Sequence, residues 1–276
     1  MLAGGHTLAY AESGPADGPP IVLLHGLASD ADTWDRAVEP LAAHGLRVLA
    51  VDLLGHGLSA KPDDCTYLLD AFAESLAAFL DAVGIRSATL CGHSFGGAVA
   101  IHFGVDHPDR LDRLVLVSAG GLGKEVHAVL RAATLPVAPA VLRAALRPGM
   151  RRLYRRPELH RALGLTEDNL VNLRRAARAL GSLDGQKSFF ASARGVISPA
   201  GQRTATEDFR AVTARVPTLL IWNAGDPVIP VAHARAAEGR LAPASKLVVF
   251  PERSHEPHRG NAHKFADEVA GFVSAS

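Results

Sequence analysis

Short apolar runs of β-type composition alternate with helical stretches along most of the chain, and this alternation limits the fold more than any other feature. Because strands separated by helices pair in parallel, it predicts an α/β fold, a mostly parallel sheet with helices on both faces. Apolar side chains at helical spacing over 70–83, followed by Gly84, predict one packed helix. An antiparallel edge strand is predicted over 7–11. The predicted parallel strands cover 20–24, 46–51, 88–91, 114–118, 218–222 and 246–250.

The alternation stops after 118–121 and resumes only at 216–218. We therefore predict an α/β core made of residues 1–119 and 216–276, with a helical cap, or lid, inserted as residues 120–215. The sequence has no internal repeat and no low-complexity tract, which argues against a repeat array or a disordered chain. Within the cap, prolines separate helical stretches that we predict over 126–135, 141–146, 151–154 and 169–180.

Charge is unevenly divided between these two units. Between Lys124 and Arg215 there are 17 Lys or Arg against 7 Asp or Glu, out of 29 and 28 in the chain, which leaves 12 against 21 elsewhere. The formal net charge of +1 argues against nucleic-acid binding by the chain as a whole. The basic residues of the cap either form solvated helix faces, the favoured interpretation, or attract an anionic substrate, a carrier protein or a membrane surface. They include Arg151, Arg152, Arg155, Arg156, Arg174 and Arg175.

Composition bears on location and on cofactors. No apolar run approaches the roughly 20 residues that span a bilayer, and the start of the chain has no leader-like pattern, so we expect a cytoplasmic protein that is not transmembrane. Cys65 and Cys91 are expected to be free thiols, because two cysteines support neither a disulfide framework nor a zinc cluster. The spacing of His, Cys and carboxylate residues suits no metal, so we predict neither a metal nor another cofactor. The oligomeric state is left open.

Ser94 is the candidate nucleophile. It lies in Gly92-His93-Ser94-Phe95-Gly96, where a predicted strand ends and a predicted helix begins. A sharp turn at this point exposes the serine hydroxyl, and the flanking glycines keep other side chains out of the bend. A glycine-rich turn with a capping serine would have the same local sequence, so the remaining site residues decide between the two interpretations.

The candidate base and acid each follow a later predicted strand. His255 comes after the strand over 246–250, and Asp226 comes after the strand over 218–222. The chain order Ser94, Asp226, His255 is the order in which this triad occurs on an α/β sheet. His258 is the alternative base. His233 and His263 are expected on solvated helix faces.

The turn His25-Gly26-Leu27 follows the first predicted parallel strand. We expect the backbone N–H groups of Leu27 and Phe95 to form an oxyanion hole, because the negative charge that develops on a carbonyl oxygen needs donors already in place.

In these motifs the chain resembles the α/β-hydrolase superfamily over nearly its whole length outside the cap. The resemblance also includes the segment Asp52-Leu53-Leu54-Gly55-His56-Gly57-Leu58-Ser59. In that family this segment is structural and borders the active-site mouth, so no catalytic role is assigned to His56. The chain departs from the family pattern at Asn223 and Ser254, where glycine is frequent, and at Arg259-Gly260, where an acidic residue is frequent.

The resemblance implies a cofactor-independent serine hydrolase of a small or medium ester, thioester or lactone, acting through an acyl-enzyme. One alternative is a carbon–carbon bond hydrolase, or a related lyase or cyclase, with the same triad. The other is a ligand-binding receptor on the same fold with slow or no turnover. The expected partner is a small molecule with an apolar acyl or ring portion. Cap residues that can contact it, or simply pack the cap, are Leu130, Leu135, Val137, Val141, Leu142, Leu146, Phe189 and Phe190.

Overall fold

The computed structural model describes residues 2–3, 5–145, 167–203, 206–239 and 245–275. Its centre is a seven-stranded sheet. The strands are β1 Tyr10–Ser13, β2 Pro20–Leu24, β3 Arg47–Val51, β4 Ala88–His93, β5 Leu111–Val117, β6 Thr218–Asn223 and β7 Lys246–Phe250. Their spatial order is β7-β6-β5-β4-β2-β3-β1, and all neighbouring strands pair in parallel except the edge strand β1, which is antiparallel to β3. The predicted α/β fold with a mostly parallel sheet is confirmed.

Helices cover both faces of this sheet because successive strand residues point to opposite sides. The described helices are α1 Asp35–Ala43, α2 Leu69–Ala82, α3 Phe95–Asp106, α4 Ala128–Ala133, α5 Ala138–Ala145, α6 Glu167–Ala179, α7 Leu183–Val196, α8 Thr206–Thr213, α9 Ala232–Glu238, α10 Pro257–Gly260 and α11 Ala262–Ser274. On β2, Val22 and Leu24 pack into one core cluster with α2 and α3, whereas Ile21 and Leu23 pack into a second cluster with α1 and α11.

The predicted elements of the core agree with the structure to within a few residues. The helix predicted over 70–83 is α2, and Gly84 follows it with a φ of 68°, a backbone conformation that glycine adopts at low cost. The edge strand predicted over 7–11 lies slightly later, at Tyr10–Ser13. A short hairpin of Leu2–Ala3 with His6–Thr7 occupies the earlier position.

Residues 120–215, hereafter the insertion, lie between β5 and β6. Three of the predicted helical stretches overlap α4, α5 and α6, and the stretch predicted over 151–154 lies outside the described residues. Two helices were missed, α7 and α8, together with a hairpin of Ile197–Ser198 with Gly201–Gln202. The signal for α7 was Ser182, whose hydroxyl caps the N–H of Gly185 at 3.0 Å. The division into core and cap stays a prediction.

Ion pairs join helix α6 of the insertion to acidic side chains of the core. Arg175 is buried, and its guanidinium lies 3.5 Å from Asp35 and 4.0 Å from Glu256. Arg178 pairs with Asp30 and Asp32, at 3.2 Å each. The expectation that the arginines of the insertion form solvated faces is therefore wrong for Arg175, because an acidic patch of the core takes up its charge.

The apolar side chains of the insertion divide into two groups. Phe189 and Phe190 are buried and Leu130 is half-buried, whereas Val137 and Val141 are exposed. Leu135 is also exposed, Leu142 is half-buried, and Leu146 lies outside the described residues. Within the described ranges, no helix combines the length and the apolar character that crossing a bilayer requires.

Candidate active site

Ser94 occupies the turn between β4 and α3 in a strained backbone conformation, with φ 53° and ψ −115°. A non-glycine residue persists there only where its surroundings hold it. Three backbone hydrogen bonds do so. The N–H of Ser94 donates to Val117 O at 3.0 Å, and Ser94 O accepts from the N–H groups of Gly97 and Gly120 at 3.0 and 2.9 Å.

Two glycines permit this turn by leaving room for neighbouring backbone. A Cβ on Gly92 would lie 2.3 Å from the carbonyl oxygen of Gly96, and a Cβ on Gly96 would lie 2.4 Å from that of Leu24. Both distances are far below van der Waals contact. The glycines of the predicted motif are therefore required by the close approach of strand and helix, as the sequence indicated.

Asp226 and His255 meet across the ends of β6 and β7. The Nδ1 atom of His255 lies 2.9 Å from Oδ2 and 3.1 Å from Oδ1 of Asp226. The carboxylate also accepts the N–H groups of Val228 and Ile229, at 2.8 and 3.0 Å. Burial by itself would raise the pKa of Asp226, but these hydrogen bonds and the nearby imidazole outweigh it and hold the pKa below its ordinary value. Asp226 is thus an ionised acceptor that orients the ring of His255.

The other ring nitrogen of His255, Nε2, is buried and makes no hydrogen bond to the described residues. The ring of His255 lies 4.7 Å from that of His93, the residue before Ser94, and His93 Nε2 is 2.8 Å from the backbone oxygen of His255. The structure thus brings the loop of the predicted base against the predicted nucleophile turn.

The residues that depart from the family pattern contact one another or their neighbours. The side-chain amide of Asn223 donates to both the backbone oxygen and the hydroxyl of Ser254, each at 3.0 Å. Ser254 Oγ in turn accepts the N–H of Glu256 at 3.1 Å. Two polar residues in place of glycines therefore tie the end of β6 to the loop that carries His255. Arg259, expected as a loop variant, is buried and pairs with Asp35.

Leu27 and Phe95, the expected oxyanion donors, both line the pocket that contains Ser94. Phe95 is the first residue of α3, so its N–H has no acceptor within the helix. The turn that carries Leu27 lies close to the nucleophile, because a Cβ on Gly26 would be 3.3 Å from Ser94 Cβ. His25 holds this turn: its Nε2 accepts the N–H of Leu53 at 3.0 Å, so Nδ1 carries the proton and donates to Gly26 O at 2.8 Å.

Several histidines around the site are uncharged structural residues. Burial lowers the pKa of His93 and of His56 to about 3, and that of His25 to about 4. His258, the alternative base, is fully buried behind His93, with ring centroids 4.8 Å apart, and burial lowers its pKa well below the ordinary value. The expectation for His233 is wrong: it is buried, 2.6 Å from Glu125. His263 is exposed, as expected.

The sequence model of the α/β-hydrolase fold family matches residues 19–261. The chain belongs to this family. An uncharacterized protein of Mycobacterium tuberculosis is 34% identical over 278 residues, which cover 99% of this chain and 80% of that protein.

This α/β hydrolase is also similar to enzymes of two reaction classes. The 2-hydroxymuconate semialdehyde hydrolase of a Pseudomonas species is 28% identical over 281 residues, covering 99% of this chain and 93% of that protein. The crystal structure of the esterase RhEst1 from a Rhodococcus species superposes with a TM-score of 0.71 at 27% identity, covering 99% and 97% of the two chains. Family membership therefore supports hydrolase activity on a small molecule without selecting a substrate class.

Some residues of the α/β hydrolase pocket were missed by sequence reasoning. Gln202 ends the short hairpin of the insertion and Arg203 follows it, and both line the pocket with Ile229, which comes from the loop of Asp226. A hairpin of two-residue strands has no readable periodicity, so no sequence signal pointed to Gln202 or Arg203.

A possible metal-binding group lies on helices α2 and α3. The ligand atoms of Asp70, His102 and Asp106 lie within 4.8 Å of one another. His102 Nε2 is 2.6 Å from Asp70 and 3.2 Å from Asp106, so the imidazole already contacts both carboxylates. The expectation of no metal stays a prediction.

Proposed function

We propose that this α/β hydrolase cleaves a small or medium carboxylic ester, thioester or lactone through a serine-dependent, cofactor-independent reaction. Ser94 is the nucleophile, His255 the base and Asp226 the residue that orients the base. The observation that carries the proposal is the arrangement of His255, whose Nδ1 is held by a buried carboxylate while Nε2 has no hydrogen-bond partner in the described chain. A base held in this way has one nitrogen free to accept the hydroxyl proton.

In the first half of the reaction, Ser94 Oγ attacks the carbonyl carbon and its proton passes to His255 Nε2. The carbonyl oxygen becomes negatively charged and receives hydrogen bonds from the N–H groups of Leu27 and Phe95, each such donor contributing about 3 kcal/mol of transition-state stabilisation. The bond to the leaving group then breaks, and His255 returns the proton to the departing alkoxide or thiolate. Asp226 stays ionised throughout and stabilises the imidazolium.

In the second half, water attacks the ester formed on Ser94. His255 takes a proton from this water and then gives it to Ser94 Oγ as the acyl group leaves as a carboxylic acid. Each proton that His255 accepts is returned within the same half of the cycle, so no external acid or cofactor is needed.

We further propose that the insertion acts as a cap over this pocket. Val126, Leu130 and Val196 of the insertion line the pocket together with Ser94 and Leu27 of the core. This lining is predominantly apolar, which supports a substrate with an apolar acyl or ring portion.

The test combines turnover with covalent labelling. We expect the wild type to hydrolyse short activated esters and to react rapidly with a fluorophosphonate probe, and Ser94→Ala to lose both properties. Ser13→Ala, on the edge strand, is the matched control and should retain them. Equal turnover by wild type and Ser94→Ala would overturn the proposal, and a wild type that neither turns over nor reacts with the probe would favour a ligand-binding receptor.

A second candidate function is carbon–carbon bond hydrolysis with the same three residues. The similarity to the 2-hydroxymuconate semialdehyde hydrolase is the observation that favours it. The two functions are separated by comparing kcat/KM for 2-hydroxymuconate semialdehyde with kcat/KM for an activated ester of similar size. We expect the ester to be the better substrate. A preference for the semialdehyde that is lost in Ser94→Ala would replace the first proposal with the second.

A further inference from the structure

Arg203 places a positive charge at the pocket that contains Ser94. Most side chains around this pocket are apolar, and the polar ones are Ser94 and Gln202. Among the described residues that line it, Arg203 is the one with a charged side chain. The residue itself is exposed, so its charge lies at the rim rather than in the interior.

The position of Arg203 is fixed by hydrogen bonds that lead back to the nucleophile turn. Its N–H donates to Val196 O at 2.8 Å. The preceding residue, Gln202, accepts the N–H of Gly121 on Oε1 at 3.0 Å and donates from Nε2 to Glu125 O at 2.9 Å. Gly121 follows Gly120, whose N–H donates to Ser94 O. The rim at Arg203 is therefore anchored next to Ser94 through backbone and amide contacts.

The guanidinium of Arg203 differs from those of four other arginines in the insertion. Arg175 and Arg178 pair with carboxylates of the core. Arg131 and Arg194 donate to backbone oxygens, of Pro199 in the first case and of Thr134 and Leu135 in the second. Within the described ranges, the guanidinium of Arg203 pairs with neither an acid nor a carbonyl. The side-chain amide of Gln202 already makes one hydrogen bond through each of its polar atoms, which fixes its orientation and leaves one N–H and one oxygen lone pair unused.

We propose that Arg203 is a substrate-binding residue and that the natural substrate carries a carboxylate in addition to the bond that is cleaved. This rests on the proposed function. A guanidinium presents parallel N–H donors that match a carboxylate, and the apolar walls of the pocket suit the carbon skeleton between the carboxylate and the reacting carbonyl. The sequence predicts a basic insertion as a whole. Among its described arginines, Arg203 is the one that lines the pocket, and it is the one to which we assign substrate binding.

The experiment compares two matched pairs of substrates. In the first pair, para-nitrophenyl hexanoate is compared with the mono-para-nitrophenyl ester of adipate, which has a carboxylate at the far end of the acyl chain. In the second, phenyl acetate is compared with the acetyl ester of meta-hydroxybenzoate, which has it on the leaving group. The readout is the ratio of kcat/KM for the anionic substrate to kcat/KM for the neutral one.

We expect the wild type to prefer the anionic member of at least one pair, and Arg203→Gln to lower that ratio about tenfold. Arg203→Lys should restore part of the preference, because the charge remains while the paired donors are lost. The matched control is Arg210→Gln, which removes an equally exposed charge from helix α8 outside the pocket lining and should leave the ratio unchanged. The wild-type preference should also decrease as salt is added, because the rim is open to solvent.

Failure of this inference is distinguishable from failure of the proposed function. If the neutral esters are hydrolysed in a Ser94-dependent manner and the ratios are the same in wild type and Arg203→Gln, the carboxylate subsite is disproved and the hydrolase proposal stands. If neither ester of either pair is hydrolysed faster than by Ser94→Ala, both proposals fail.

Discussion

The nucleophile turn and the contacts of helix α6 with the core are held by different forces. Around Ser94 the contacts are between backbone atoms, and the nearby histidines are uncharged because burial lowers the pKa of His93 and His56 to about 3. Helix α6 of the insertion is joined to the core by charged side chains, with Arg175 set between Asp35 and Glu256.

This difference predicts how the nucleophile turn and the helix α6 contacts respond to substitution. Backbone packing at Ser94 tolerates no added atom, because a single Cβ on Gly92 meets another backbone within 2.3 Å. Ion pairs between long side chains allow small displacements, but they depend on charge and on the burial of the pair. We therefore expect added side-chain volume to destabilise the nucleophile turn, and loss of charge to destabilise the contacts of helix α6 with the core.

The largest expected effect comes from adding one methyl group at the nucleophile turn. Gly92→Ala places its Cβ against the backbone of Gly96, so strand and helix must separate, and we expect a loss of at least about 3 kcal/mol in the free energy of unfolding or a failure to fold. Urea denaturation measures it. Gly271→Ala is the control, since its Cβ meets nothing within 4 Å and should stabilise helix α11 by about 0.5–1 kcal/mol. Equal unfolding midpoints for wild type and Gly92→Ala would contradict the claim that the nucleophile turn tolerates no added atom.

The next effect tests the helix α6 contacts. Arg175→Gln removes a buried guanidinium from Asp35 and Glu256, although Arg259 remains as a partner of both, and we expect about 2–3 kcal/mol of destabilisation from the lost charged contacts. Arg178→Gln is the matched control, because its side chain is 59% exposed and its ion pairs should contribute less than about 1 kcal/mol. If the two variants unfold at the same urea concentration, burial of the pair does not matter and the contrast between the nucleophile turn and the helix α6 contacts is weakened.

Glu256 directly follows His255 in the chain. Arg175→Gln therefore also removes a contact next to the candidate base. Asn172 of helix α6 donates to Glu256 at 2.8 Å, which gives the insertion a second contact with this residue. A Tm shift in Arg175→Gln with unchanged turnover would restrict the role of the ion pairs to stability.

The smallest effect concerns the buried histidines near the nucleophile turn. The pKa of His56 is about 3 in the folded protein, against 6.5 for an ordinary histidine. Below about pH 6.5, His56 therefore binds a proton in the unfolded chain but not in the folded protein. The free energy of unfolding consequently decreases as the pH falls from about 6.5 toward about 3. One such histidine contributes up to about 1.4 kcal/mol per pH unit in this window. His56→Gln should reduce the slope of unfolding free energy against pH by that amount.

The control for this slope is His263→Gln, which changes an exposed histidine and should leave the slope as it is. Denaturation midpoints between about pH 7.5 and pH 5 provide the measurement. A slope that is the same in His56→Gln and wild type would mean that His56 binds protons equally well in both states.

Much of the core was predictable because its signals are local. Six short apolar runs predicted the parallel strands, and a helical run ending at Gly84 predicted α2. The insertion was less predictable. Helix α7 contains Gly185 and Gly195, which lower helix propensity, and it is held by buried contacts of Phe189 and Phe190 that a propensity argument does not see.

The candidate site divides in the same way. Spacing predicted that Ser94, Asp226 and His255 each follow a strand, and the structure joins Asp226 to His255. The bond between Asn223 and Ser254 was not predictable, because each looked like an unrelated loop variant. His233 was misassigned for the same reason: its partner, Glu125, is 108 residues away in the sequence.

By itself the sequence determined the parallel sheet, the strand-to-helix turn at Ser94 and the order of the three candidate catalytic residues. These follow from periodicity and from glycine placement, which act between residues that are neighbours in the chain. Only the tertiary structure decided which histidines are uncharged, that Arg175 is buried against acidic residues of the core, and that Arg203 lines the pocket with its guanidinium unpaired among the described residues. Burial and ion pairing depend on which distant segments meet, and that information exists only after the chain has folded.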